Sequence, residues 1–376
     1  MINRLLFDKI NPLLRTNKVK IILGARRTGK TFLLKKIAEG LEEPYLFLNG
    51  EDAAVQGMLE TRTVQNYLNV LGTKKILMID EAQKIPGIGQ KLKLMIDGIP
   101  ELSIIVSGSS AFDLEGKMGE PLTGRKHSFV MYTFSEKEIL PYEDAVKRRS
   151  NLEQRLIYGN YPEATLLNGN AAKEEYLREL VSSYLMKDIL QYEDIRKPAQ
   201  IVNLLRLIAF QAGNEVSPSE LAQQLSLARI TVEKYLDLLS KVFIIYKLEG
   251  FSRNLRKEIV KNNKWYFVDN GIRNAIIANF SPVNLRNDTG QLWGNYIISE
   301  RIKHQHYSGL TVNNYFWRTY DQQEIDFIEE RGGQLYGYEM KWKKLKVKTP
   351  VAWVKNYPGA GFTVVTPDNY LETFLN

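Results

Sequence analysis

The chain has 376 residues, of which 44% are hydrophobic and 25% charged, and carries a formal net charge of +8. That length exceeds one compact core and predicts two or three domains. Cysteine is absent, which excludes disulfides, thiolate metal sites and cysteine nucleophiles. No run of about 18 apolar residues occurs, so no membrane-spanning helix is expected. Met1 to Asp8 hold too short an apolar stretch for a secretory leader, and a cytoplasmic location is the expectation. The three histidines are His127, His304 and His306. The last two, two positions apart, suit one face of a strand and read as a solvated pair. The basic surplus is a weak pull towards a polyanionic partner.

Val19-Lys20-Ile21-Ile22-Leu23 reads as a buried strand. It is followed by Gly24-Ala25-Arg26-Arg27-Thr28-Gly29-Lys30-Thr31, which fits G-x-x-x-x-G-K-[ST] at every position. Phe32 to Ala38 then carry apolar residues at helical spacing. Strand, glycine-rich loop and helix together are the context a phosphate loop needs. Gly24 and Gly29 let the backbone curl so that the N–H groups of residues 24–31 point into one concavity, and the helix N-terminus adds partial positive charge. Lys30 is expected on the β- and γ-phosphates and the Thr31 hydroxyl on Mg²⁺, with ATP as the ligand. A second strand, Pro44 to Asn49, precedes Ile76-Leu77-Met78-Ile79-Asp80-Glu81. This apolar strand ends in two carboxylates. Asp80 is expected in the Mg²⁺ shell, and Glu81 as the base that orients and deprotonates the attacking water. Ser103 to Ser107 form the next strand, leading into Gly108-Ser109-Ser110-Ala111. Ser109 or Ser107 either touches the γ-phosphate or the water, or belongs to a plain small-residue turn. Arg125, before the strand Ser128 to Thr133, either stabilises the transferring phosphoryl group or is a surface arginine.

The order of the phosphate loop, Asp80-Glu81, Ser107-Gly108-Ser109-Ser110 and Gly124-Arg125 resembles a prokaryotic AAA+-like ATPase group whose members carry a C-terminal domain of unknown function. The resemblance implies a sensor role for Ser109 and a sensor or finger role for Arg125. It continues through the chain. Tyr158-Gly159-Asn160-Tyr161-Pro162 matches a turn of the family and marks a junction.

Residues 174–189 predict an amphipathic helix packed back on the ATPase. Residues 201–250 look like a helix-turn-helix. Ser217-Pro218-Ser219-Glu220 opens one helix with an N-cap, a proline at N1 and an acid at N3. Arg229 begins the candidate recognition helix, and Val242 to Tyr246 read as the first strand of a wing. From Arg196 to Lys261 there are 11 Lys or Arg against 6 Asp or Glu, a surplus of 5. That surplus suits phosphate contacts by Arg229 and Lys234 to double-stranded DNA; a protein-packing module is the alternative.

Asp326 on one strand, with Glu339-x-Lys341 on its neighbour, gives the restriction-endonuclease-like pattern D…(D/E)-x-K. Asp326 and Glu339 would ligate Mg²⁺, and Lys341, two residues from Glu339, would share its face and polarise the water. The basic run 341–348 would track phosphates. The family commonly shows Trp-Glu-Asn where this chain has Trp293-Gly294-Asn295. Gly294 thus stands where a metal-shell glutamate is usual, and Glu300 lies on another part of the helix. Impaired cleavage is expected.

The expected fold class is α/β: a P-loop NTPase parallel sheet, a winged helix-turn-helix and a small restriction-endonuclease-like α/β domain. The expected boundaries are 1–140 for the ATPase, 141–200 for a helical lid or connector, 201–270 for the winged helix and 285–376 for the C-terminal domain. The expected function is Mg²⁺-dependent ATP binding and hydrolysis coupled to DNA. An ATP-dependent protein-interaction switch and an ATP-regulated nuclease are the alternatives, and a homo-oligomer or protein partner is left open.

Overall fold

Five short parallel strands form the first sheet in the computed structural model, which describes residues 2–109, 122–185, 189, 198–253, 262–343 and 347–375. Ser110, Ala111 and residues 344–346 of the basic run lie outside the described residues. The strands are β1 (Val19–Leu23), β2 (Tyr45–Asn49), β3 (Ile76–Asp80), β4 (Ser103–Gly108) and β5 (Lys126–Val130), in the order β2-β3-β4-β1-β5. All neighbours run parallel. Strands β1, β3 and β4 are buried at every position, as strands covered on both faces must be. Insertion of β4 between β1 and β3 puts the loop after β1 and the end of β3 on either side of one strand end. Open α/β sheets place ligands in such a crevice, outside the carboxyl ends of their strands.

The chain divides into two compact units, residues 1–134 with 241–243, and residues 135–240 with 244–376. At the amino-terminal edge of the first sheet, Lys20 is fully buried. Its Nζ donates to the carbonyls of Leu14 (3.2 Å) and Thr16 (2.8 Å) and to Ser103 Oγ (3.1 Å). No carboxylate is among these partners, and burial lowers its pKa to about 8.

The second unit holds a seven-stranded sheet in the order β12-β11-β10-β9-β7-β8-β6. Its strands are β6 (Glu215–Val216), β7 (Ile245–Gly250), β8 (Asn263–Phe267), β9 (Asn313–Arg318), β10 (Glu324–Arg331), β11 (Gln334–Met340) and β12 (Gly361–Val365). Strand β8 pairs antiparallel with β6 and β7. Before them in the chain come the helices Pro198–Phe210, Pro218–Leu225 and Arg229–Lys241. Ser217 caps the middle helix as its sequence predicts, accepting from the Glu220 N–H at 3.4 Å. Strands β9, β10 and β11 form an antiparallel meander, with β12 parallel to β11. Strand β7 also pairs with β9. The stretches expected as a separate wing and a separate C-terminal domain therefore share one sheet.

Two expectations need correction. Among the described residues, the segment expected as one helix over 174–189 is α-helical over Asn170–Glu179 and π-helical over Leu180–Leu185, with residues 186–188 outside the described residues, and it falls within the second unit. His304 and His306 both lie on the helix Thr289–Ser308, with His304 buried and His306 exposed. Burial, with Lys137 and Arg301 nearby, lowers the His304 pKa to about 4.

Buried polar contacts tie the start of this unit to that helix. The Glu136 N–H donates to Glu300 Oε2 at 2.6 Å, Arg155 Nε lies 3.0 Å from Glu136 Oε1, and the Tyr296 hydroxyl donates to the same oxygen. Glu300 also accepts from Lys303 Nζ at 2.7 Å and Asn160 Nδ2 at 3.2 Å. The Tyr158–Pro162 turn is pinned there as well, its Asn160 N–H donating to Asp269 at 2.8 Å.

Candidate active site

The carboxyl end of the parallel sheet carries the first cluster. Between β1 and the helix Lys30–Glu39, the loop has Gly24 at φ +155° and Gly29 at +97°. A Cβ on Gly24 would lie 2.2 Å from the Met131 carbonyl oxygen, so only glycine lets the loop rest on the end of β5. Thr28 Oγ1 donates to the Ala25 carbonyl at 2.8 Å, which tightens the turn. Ala25, Thr28 and Lys30 are buried, Arg26 is half-buried and Arg27 is exposed with φ +62°. Lys30 Nζ curls back to donate to the carbonyls of Gly24 (2.8 Å) and Ala25 (2.9 Å). Its ammonium thus lies over the loop that should cradle phosphate.

Thr31 Oγ1 donates to Asp80 Oδ2 at 2.6 Å. Asp80 Oδ1 accepts from Ser107 Oγ, and Ser107 Oγ in turn accepts the Glu81 N–H at 3.1 Å. One buried serine therefore sets both acidic positions. Thr31 and Asp80 are hard oxygen donors at hydrogen-bond separation. They fit Mg²⁺, which keeps waters and substrate phosphates rather than taking an all-protein cage. Among the described residues, no group of three or more His, Cys, Asp or Glu could hold a metal ion. Glu81 adopts the left-handed conformation, φ +49° and ψ +44°, a strain that clusters at functional sites. Gly50 lies against it: a Cβ there would be 2.4 Å from the Glu81 carbonyl oxygen. Gln83 Nε2 donates to Glu81 Oε2, and also to Ser109 Oγ at 3.0 Å.

Arg125 is not part of this cluster. It precedes β5, whose Lys126 pairs with Val19 at the start of β1, whereas the phosphate loop follows Leu23. About 15 Å of strand, at roughly 3.3 Å per residue, separates them. Arg125 instead forms an exposed ion pair with Asp97 at 2.6 Å. The sensor or finger role expected of it is corrected for its own chain.

The second cluster lies in the sheet of the other unit. Asp326 Oδ2 accepts the Met340 N–H at 2.8 Å, and Lys341 Nζ lies 2.7 Å from Glu339 Oε1. Asp326, Glu339 and Lys341 are thus neighbours, as their spacing predicts. No sequence motif points to Lys264. This buried residue of β8 bonds Glu324 Oε1 and lies 3.9 Å from Asp326 Oδ1. Burial opposes its charge, but Tyr266, Asp326 and Glu324 outweigh that and hold the ammonium above the ordinary lysine range. Burial and then the Asp326 charge push the Glu339 carboxyl up. A Cβ at Gly294 would meet nothing within 4 Å.

On the helix Arg229–Lys241, Arg229, Ile230, Glu233, Lys234 and Asp237 are exposed. Arg229 Nε pairs with Glu233 at 2.8 Å. Two acids thus share the exposed face with the two bases expected to contact DNA.

Residues 16–140 match the family model described as AAA domain. Residues 149–283 and 289–368 match two domains of unknown function, DUF8612 and DUF4143. An uncharacterized protein of Haemophilus influenzae is 26% identical over 342 residues, covering 85% of this chain and 81% of its own. An uncharacterized protein of Methanocaldococcus jannaschii is 24% identical over 409 residues, covering 98% of this chain and 88% of its own. Among solved structures, the Walker-type ATPase PABY2304 of Pyrococcus abyssi matches with a TM-score of 0.50 at 15% identity, covering 72% of this chain and 94% of that one. The chain therefore contains an AAA-like P-loop ATPase fold.

Proposed function

We propose that the chain binds ATP with Mg²⁺ at the carboxyl end of β1 and hydrolyses it, and that the second unit is the output of that cycle. The 2.6 Å contact between Thr31 and Asp80, beside a lysine held over a glycine loop, carries the reading. Lys30 reaches the β- and γ-phosphates, and the backbone N–H groups of residues 24–31 cradle them. Thr31 and Asp80 would hold Mg²⁺, which would supply charge neutralisation on the phosphate oxygens. Glu81 takes the proton of the attacking water, with Ser109 beside it. The AAA-domain match supports this reading. Lys30→Ala should abolish nucleotide binding or turnover, since it removes the cation over the loop; turnover at the parent rate would refute the assignment.

For the second unit we favour a protein partner over duplex DNA. The order of three helices with β6, β8 and β7 supports a winged helix, and the meander with its parallel β12 supports a restriction-endonuclease-like core. The exposed face of the helix Arg229–Lys241, however, balances its charge and exposes Ile230 at 64%, whereas phosphate tracking needs a positive excess. ATP turnover measured with and without double-stranded DNA decides between them. No stimulation is expected; stimulation that weakens with salt and is lost in an Arg229→Ala/Lys234→Ala variant would restore the DNA reading. Metal-dependent cleavage of plasmid would restore the nuclease reading.

A further inference from the structure

The geometry assigns Gln83 as the positioning residue that holds the Glu81 carboxylate in register with Ser109; this rests on the hydrolytic reading above. Gln83 lies on the 3₁₀ turn Ala82–Lys84 that leaves β3 and is 5% exposed. Its amide nitrogen has two hydrogens and two acceptors, Glu81 Oε2 and Ser109 Oγ. The ends of β3 and β4 are thus joined twice, through Ser107 at the backbone of Glu81 and through Gln83 at its carboxylate.

Glutamate has three rotatable side-chain bonds, and this one starts from a left-handed backbone. Without a tether its carboxylate would sample many positions, few of them over the line of attack. Binding through Oε2 leaves Oε1 to receive the water proton, which is the role of a third group that orients a base. The Gln83 carbonyl oxygen is buried and has no hydrogen-bond partner among the described residues. A buried acceptor left unmet is costly. Its missing donor is the water that Glu81 activates, so the same amide fixes the base and accepts the second hydrogen of the nucleophile. The proton leaves the water for Glu81, the hydroxide oxygen bonds the γ-phosphorus, and the bond from that phosphorus to the bridging oxygen of ADP breaks.

The test is steady-state ATP turnover with binding of a fluorescent non-hydrolysable ATP analogue, for the full chain and for Gln83→Met, Gln83→Ala, Glu81→Gln and the Glu81→Gln/Gln83→Met double variant. Methionine keeps the length and packing of the side chain without its amide. We expect kcat to fall about 10- to 100-fold in Gln83→Met, the size of effect a misplaced reacting group produces, with analogue affinity and KM within about twofold. The double variant should turn over within about twofold of Glu81→Gln, because a residue that acts through Glu81 has nothing left to position. The inference falls if Gln83→Met matches the parent. It also falls if the substitution slows Glu81→Gln by the same factor as it slows the parent, which would mark a structural role independent of the base. Should Gln83→Met lose analogue binding, Gln83→Ala decides by the same criteria, and loss of binding there too refutes positioning. Failure of the underlying reading shows elsewhere, in a Glu81→Gln variant as active as the parent.

Discussion

The two charged clusters use similar side chains in opposite ways. At the end of β1 and β3, the Lys30 ammonium donates to the loop carbonyls of Gly24 and Ala25, and Asp80 meets the hydroxyls of Thr31 and Ser107. In the sheet of the second unit, Glu324 and Asp326 face Lys264, and Glu339 faces Lys341. Under the proposed function, the first cluster would meet an incoming anion with its lysine and a cation with its oxygens. The second pairs its carboxylates with ammonium groups inside the protein. A D…(D/E)-x-K pattern therefore says which residues meet, but not that a lysine from a distant strand lies beside the aspartate.

The largest effect that sharpens this contrast is chemical. Glu81→Gln should lower ATP turnover by about 10²–10⁴-fold while ATP affinity is kept, the usual range for loss of a general base. Turnover and nucleotide titrations measure it, and an unchanged rate would move the base elsewhere.

Next comes the internally paired cluster. Lys264→Met should destabilise the second unit by less than the roughly 3–5 kcal/mol of a broken, wholly buried pair, since Glu324 keeps about a third of its exposure. Chemical denaturation checks it. The variant should also gain thermal stability with millimolar Mg²⁺ or Mn²⁺, as the freed carboxylates take a cation. A parent that gains as much would erase the distinction between the clusters.

Lys20 tests what burial costs a cation that has no carboxylate among its hydrogen-bond partners. Its folded pKa is about 8, below the 10.5 of an ordinary lysine. Between those values the unfolded chain binds a proton that the folded chain has released, so stability should rise with pH across that window by a few kcal/mol at most. Below about pH 8 both states are protonated and the contribution is flat. Lys20→Met should lack the rise; parallel profiles for the two proteins would refute the assignment.

Arg125→Ala should do least. Its exposed pair with Asp97 is worth roughly 0–1 kcal/mol, and turnover at protein concentrations that keep the chain monomeric should match the parent. A loss that grows with protein concentration would instead place Arg125 at the nucleotide of a second copy.

Local pattern was enough for the phosphate loop, the Asp80-Glu81 pair, the Ser217 cap and the adjacency of Asp326 with Glu339. Each depends on residues close in sequence, or on strands whose hydrophobic period sets which face a side chain takes. Ser107 and Gln83 were within reach of that reasoning, being one strand end and two residues away from the acids they hold, yet only the placement of β4 beside β3 gives them partners. Lys20, Lys264, Arg125 and His304 were decided by tertiary structure alone. Parallel register put Arg125 at the far edge of the sheet, and the shared seven-stranded sheet brought Lys264 to a carboxylate 60 residues away, that of Glu324. Packing buried His304, which the sequence suggested was solvated, and gave Lys20, inside a strand already expected to be buried, its carbonyl and hydroxyl partners. Burial and long-range charge depend on which elements meet in space, and one-dimensional spacing does not carry that information.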